Sequence, residues 1–304
     1  MVAKNKLIVC IISICILVLA SGGNQLDIAI TELKIGDYIQ FGQYTGQPIL
    51  WRVIADSANS DAKAGDNISG DPMLFSDKVL CLKAFDAAGD HEDSAGRNEK
   101  GSNYWGTSDL RSWLISFSPS GGVVWLDGSP PEAEKVDSNE YANEKGFLAD
   151  GNFTEYERSL VKPVEQKALL YADDYQMAEG GTTPYKYNDE IAEIINNYED
   201  AYYVNVMDTV FILDPKQIHT VYELFGQYYN NHYENAWLRA PDTNIYTDSS
   251  PANVLYIQGS NGVTMYRKAN FGEIGVRPAL VLDCRLTKIK SGNGTGENPY
   301  DIKE

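Results

Sequence analysis

Two arginines stand beside apolar partners and prolines in this chain. Arg239 lies in Trp237-Leu238-Arg239-Ala240-Pro241, and Arg277 in Gly275-Val276-Arg277-Pro278-Ala279-Leu280. A guanidinium presents its donors in a rigid fork, so such a pair could grip a carboxylate or a sugar hydroxyl. The same fork ties loops to a core when it meets backbone carbonyls, and the adjoining apolar runs favour that second role. Trp105, Trp113 and Trp237 read the same way, as large aromatics at core spacing, with Arg111 bracing their region. Five tyrosines are better placed to meet a ligand. Tyr228, Tyr229 and Tyr233 fall toward the end of an expected helix, and Tyr246 and Tyr266 beside loops. Such rings either stack on sugars while their hydroxyls bond, or pack the helix against an insertion.

Other chemistry is thinner. The loop Asp86-Ala87-Ala88-Gly89-Asp90-His91-Glu92-Asp93 concentrates the hard oxygens that calcium takes. It lacks the order of an EF-hand, so it reads as a solvated acidic loop. Cys81 and Cys284 each sit within or at the end of an apolar, strand-like run. Export permits a disulfide between them, and buried free thiols are the alternative. Two distant cysteines and three scattered histidines make no zinc site. The sequence has no Gly-x-Ser-x-Gly, no His-Glu-x-x-His and no glycine-rich phosphate loop before a helix, and it implies no cofactor. Carboxylates are plentiful, which keeps an Asp/Glu-dependent extracellular hydrolase as the alternative class.

The start of the chain sets the compartment. Lys4 and Lys6 precede an apolar run from Leu7 to Ala20, interrupted only by Ser13, and Ser21-Gly22-Gly23-Asn24 follows. This is the pattern of a secretory signal peptide over residues 1–21, shorter than the roughly 20 apolar residues of a spanning helix. No cysteine follows Ala20 to carry a lipid, and Cys10 and Cys15 would leave with the leader. An extracytoplasmic protein is expected, secreted or wall-associated, with no membrane insertion after cleavage. The net charge is −18, two units more negative once Lys4 and Lys6 are gone. That acidity repels nucleic acid and anionic lipid, and it also keeps an exported protein soluble.

The elements that must position these residues are short strands and a few helices. Alternating apolar and polar residues predict strands over 33–42 and 49–54, with a turn at Gly46-Gln47-Pro48. Buried strands are expected at 78–85, 208–213 and, last in the chain, 276–282. Loops are expected at 57–72 and 86–103. Ser108 or Thr107 should cap a helix carrying Leu110, Trp113 and Leu114 on one face. Thr154 with Glu157 has capping-box spacing, and Asp214-Pro215 should start a helix running to about Tyr229. A further helix is expected at 189–198. Asn261-Gly262 between Val254–Ile257 and Val263–Tyr266 signals a hairpin. Residues 116–152 and 172–205 read as two long insertions in one domain spanning 22–291, followed by a tail at 292–304. Strands at both ends with helices between them define an α+β class.

Several of these stretches together resemble a bacterial family, domain of unknown function 6273. They are Gly36-Asp37-Tyr38-Ile39-Gln40-Phe41-Gly42 with Trp51-Arg52-Val53, and Trp105 with Ser108-Asp109-Leu110-Arg111-Ser112-Trp113-Leu114. Asp208-Thr209-Val210-Phe211-Ile212-Leu213 and the two arginine segments complete the series, in the family's order, over about residues 33–283. The resemblance implies a C-type-lectin-like fold related to that of formylglycine-generating enzymes. In that fold the N- and C-terminal strands pair, and a loop-rich region carries the binding surface. It implies no activity, and the cysteine pair of the formylglycine-generating enzymes has no close counterpart here. The expectation is a ligand-binding module for carbohydrate or protein. A structural, partner-binding surface protein is the further alternative, which an exposed apolar patch would favour.

Overall fold

A computed structural model describes residues 28–29, 33–56, 63–90, 94–179, 200–226, 235–243, 250–258 and 263–302. The leader, the helix expected at 189–198, the Asn261-Gly262 turn, and Tyr228, Tyr229, Tyr233 and Tyr246 lie outside the described residues.

The strands run in chain order as β1 (Ile28–Ala29), β2 (Tyr38–Tyr44), β3 (Gln47–Asp56), β4 (Pro72–Ser76) and β5 (Cys81–Leu82). Then come β6 (Val164–Leu169), β7 (Tyr203–Asp208), β8 (Val210–Ile212), β9 (Ala236–Pro241) and β10 (Asn253–Gln258). The last are β11 (Val263–Lys268), β12 (Gly275–Val276), β13 (Pro278–Val281), β14 (Lys288–Ser291) and β15 (Tyr300–Ile302). Described helices are α1 (Ala95–Lys100), α2 (Asp109–Leu114), α3 (Glu155–Leu160) and α4 (Pro215–Phe225). The architecture is α+β and rich in sheet. One sheet has the order β1-β14-β15-β2-β3-β4-β13-β8, a second β11-β10-β9-β12-β5, and β6 pairs with β7 apart from both. Pairing is antiparallel except where β15 runs parallel to β2 and β12 to β9.

Local chemistry accounts for the elements that position the core. Tyr44 pairs with Gln47 across Thr45 and Gly46, which both have positive φ (50° and 79°), the backbone of a tight hairpin turn. Ser108 accepts the amide of Arg111 at the start of α2, and Leu110, Trp113 and Leu114 are buried on its inner face. Thr154 and Glu157 form a complete capping box on α3, as Asp214 and Gln217 do on α4. Strands β10 and β11 form the expected hairpin, in register from Asn253–Lys268 to Gln258–Val263. Chain continuity across 275–281 links the sheets. Gly275 and Val276 belong to the five-stranded sheet and Pro278 to Val281 to the eight-stranded one, so the chain changes sheet at Arg277. Gly275 has no substitute there, because a Cβ would lie 2.4 Å from the Asn235 carbonyl oxygen.

Several segments differ from expectation. Residues 78–85 hold only the two-residue β5, with Leu82 exposed, while the longer strand β4 lies just before them. From Lys83 the chain leaves the sheet and buries Lys83, Ala84, Phe85, Asp86 and Ala87, because the charged members of that run have partners inside. The stretch expected as loop from Asp86 includes α1. Helix α4 ends at Phe225, short of Tyr229, with Gly226 at positive φ as its C-cap. The segment read as a tail beyond 291 supplies β15. Its Gly/Asn-rich start folds back through Asn293 N to Asn298 O and Asn298 N to Thr295 O, and the returning strand sits between β14 and β2. No helix among the described residues is long and apolar enough to cross a membrane.

Candidate functional site

The arginines and tryptophans singled out in the sequence are placed as internal braces. Arg239 is buried on β9, where its Nε donates to Lys167 O at 3.1 Å and its Nη2 to Gln166 Oε1 at 3.0 Å. Its Nη1 also donates to Ile212 O, so one guanidinium joins β6, β8 and the start of α4. Arg277 lies over the Phe75 ring and donates to the Ser76 and Asp77 carbonyls at 2.8 and 3.0 Å. Arg111 Nε reaches Asp208 Oδ1 at 2.6 Å, and Trp105 Nε1 takes the other oxygen of the same carboxylate at 2.9 Å. Trp113 donates to Lys145 O and Trp237 to Lys83 O. Each aromatic NH therefore has a partner, as a buried indole requires.

Tyr266, the described member of the tyrosine set, lies on β11 opposite Leu255 and packs partly buried against the core. Cys81 and Cys284 are free thiols; the two do not meet. Burial pushes the Cys81 thiol up to about 11, against the pull of Lys83. Asp71, beside Cys284, accepts from Lys162, and Asp283 accepts from Arg285, so the carboxylates near that cysteine are already matched by cations.

The interior carries a polar centre that sequence reasoning missed. Segments 85–87 and 109–110 clasp each other. Leu110 N donates to Phe85 O at 3.0 Å, Asp109 N to Asp86 Oδ1 at 3.0 Å, and Ala87 N to Asp109 Oδ2 at 2.9 Å. Asp86, expected on a solvated loop, is completely buried, and its Oδ2 accepts from Ser102 N at 2.7 Å. Burial and the neighbouring carboxylates hold Asp86 and Asp109 well above the usual carboxylate range. Beside this clasp Lys83 Nζ lies 4.6 Å from the Trp113 ring centroid, 4.4 Å from that of Tyr141, and 2.7 Å from Glu144 Oε2. The sequence signals were a lysine inside the apolar run Leu80–Phe85 and an aspartate directly after it. Glu144 and Asp127 are too distant in sequence for either to point to them.

The insertion at 116–152 is held to the body by backbone hydrogen bonds: Phe147 N to Trp113 O, Asp137 N to Asn270 O and Ala88 N to Lys135 O. Leu126 N also donates to Ser112 Oγ, and Val123 is buried. From this anchored loop Phe117, Val124 and Leu126 project with exposures of 72%, 74% and 44%. Singly exposed apolar residues are ordinary on a protein surface. Three within ten residues gather exposed apolar side chains on one loop that the body holds in place.

Among the grooves, one of about 470 Å³ is lined by Gln40, Gln43, Asp150, Asn152, Phe153 and Glu157. Three of its polar side chains are already engaged: Gln43 Nε2 donates to Gly151 O, Glu157 accepts from Gly42 N, and Asp150 pairs with Arg158. No family model, no curated protein and no solved structure matches this chain.

Proposed function

We propose that the chain is an extracytoplasmic, non-catalytic binding module with a C-type-lectin-like core, and that its ligand is a protein. The observation that carries this reading is the anchored loop displaying Phe117, Val124 and Leu126. Aliphatic side chains such as Val124 and Leu126 offer sugar hydroxyls nothing, whereas they match the apolar centre of a protein interface. The leader-like N-terminus, the high negative charge and the likeness to the 6273 family support an exported module. The presence of N- and C-terminal strands in one sheet supports that fold. A hydrolytic reading needs two carboxylates facing a cleft at roughly 5–10 Å. Asp86 and Asp109 are instead buried and engaged with backbone amides.

The test uses the immobilised chain and isolated bacterial cell walls, before and after protease treatment. Capture of protein-bearing walls, lost on proteolysis and lost again in the Phe117→Ser, Val124→Ser double variant, is the expected result. The variant should melt with the wild type, since both side chains already face water. Equal capture of protease-treated walls would replace the protein ligand with a carbohydrate.

A further inference from the structure

We propose that Asp86, Asp109 and Asp127 together bind one divalent cation of the calcium class. One carboxylate oxygen from each lies within 4.8 Å of the others. A calcium ion bonded at 2.3–2.6 Å spans roughly 4.6–5.2 Å from one ligand to the opposite one, so a single ion can touch all three. The set is all oxygen, with no imidazole or thiolate, which selects a hard cation over zinc or copper.

Acidic clusters are common without ions, and a second observation separates this one. Asp109 is fully buried, and its Oδ1 accepts no hydrogen bond among the described residues. Its Oδ2 is occupied by the amide of Ala87. A buried carboxylate oxygen without a donor costs more than a typical hydrogen bond returns, and a cation is the partner that repays it. The other carboxylates are oriented beforehand. Asp86 takes backbone amides on both oxygens, from Ser102 and Asp109, and Asp127 Oδ1 takes Ser129 N at 2.8 Å. Each carboxylate is therefore fixed by main chain before any ion arrives.

Charge agrees with the geometry. Burial and the Asp127 charge oppose the ionisation of Asp109, while the Ala87 amide and Lys135 favour it. A divalent ion would cancel two of the three negative charges, and Lys135, which also pairs with Glu132, offsets part of the remainder. Asp127 is only half-buried, so it stands at the outer side of the cluster, where an ion and its remaining waters can enter. A proton shared between Asp86 and Asp109 is the competing arrangement. It would relieve that pair without using the Asp127 oxygen that lies within 4.8 Å of both.

The experiment is calcium and magnesium titration of the full, chelator-treated chain, read by thermal melting and by terbium luminescence sensitised through Trp125. Calcium at about a hundredfold above its Kd should raise the midpoint by about 5 °C, and terbium should give a signal that calcium displaces. Asp127→Asn should remove both effects without lowering the metal-free midpoint, since it takes away a repelling charge and its Oδ1 still accepts from Ser129 N, and Asp109→Asn should remove both as well. Three results would overturn the proposal. One is an unchanged midpoint with no terbium signal at millimolar cation. Another is a shift that survives in both variants, which places the ion elsewhere on this acidic surface. The third is a higher metal-free midpoint in Asp109→Asn with no cation effect in the wild type, which assigns the cluster to a shared proton.

Discussion

Lys83 shows how a single charged residue can sit inside this protein. Its side chain is 2% exposed, while that of its partner Glu144 is 41% exposed. The ion pair is therefore lopsided. Removing Glu144 strands an ammonium between two aromatic faces, which recover only part of its lost hydration. Removing Lys83 leaves a carboxylate that can turn to water. Glu144→Gln should accordingly cost about 2–3 kcal/mol, scaled down from a fully buried pair because Glu144 is partly solvated. Lys83→Met, which keeps the stem and drops the charge, should cost under about 1 kcal/mol. Urea unfolding of both variants decides the point. A larger loss in Lys83→Met would mean that the ammonium itself holds the Trp113–Tyr141 contact together.

At the scale of elements, β15 tests where the domain ends. It lies between β14 and β2, pairs Ile302 with Ile289 and Tyr300 with Ile39, and buries Ile302. Deleting residues 299–304 would leave both neighbours as open edges and detach β1 and β14 from the rest of the sheet. At about 1 kcal/mol per ladder hydrogen bond and about 2 for the isoleucine, the loss should exceed about 4 kcal/mol. A truncated chain that melts with the full one would return this segment to the status of a tail. The segment was misread because Gly292-Asn293-Gly294 has linker composition, and its folding back depends on a strand partner more than 250 residues earlier. What sequence did show at this scale was local: the Ser108, Thr154 and Asp214 caps join residues three positions apart, and the β10–β11 hairpin pairs residues at most fifteen apart. β4, β6 and α1 carry no such signal. The candidate sites follow the same rule. Asp86 was visible as an acidic residue and Asp109 as part of a helix start, but their meeting with Asp127 is tertiary. Phe117, Val124 and Leu126 look like ordinary core material until burial is known.

The whole molecule is held together by side chains that cross between sheets, and Arg277 is the clearest of them. It stands where the chain passes from the five-stranded to the eight-stranded sheet, and it fastens that passage to the Ser76 and Asp77 carbonyls at the end of β4. Trp237 on β9 plays a matching part by donating to Lys83 O, which ties the same sheet to the polar centre. The phenylalanine and tryptophan rings continue the link, since Phe85 packs within 5.9 Å of both Trp105 and Trp237. With the sheets cross-braced in this way, the described body should unfold in one step. Arg277→Ala should destabilise it by about 3–5 kcal/mol, because two carbonyls would be left buried without these donors and the Phe75 face uncovered. That corresponds to a midpoint lower by about 10 °C. Arg277→Lys should recover only part of the loss, since one ammonium cannot reproduce a planar fork that spans both carbonyls. Near- and far-ultraviolet circular dichroism, followed together on heating, should report the same lowered midpoint in the alanine variant. Two separated transitions would show that the sheets are independent units joined only by the chain at residue 277, and the cross-bracing would then be packing without cooperativity.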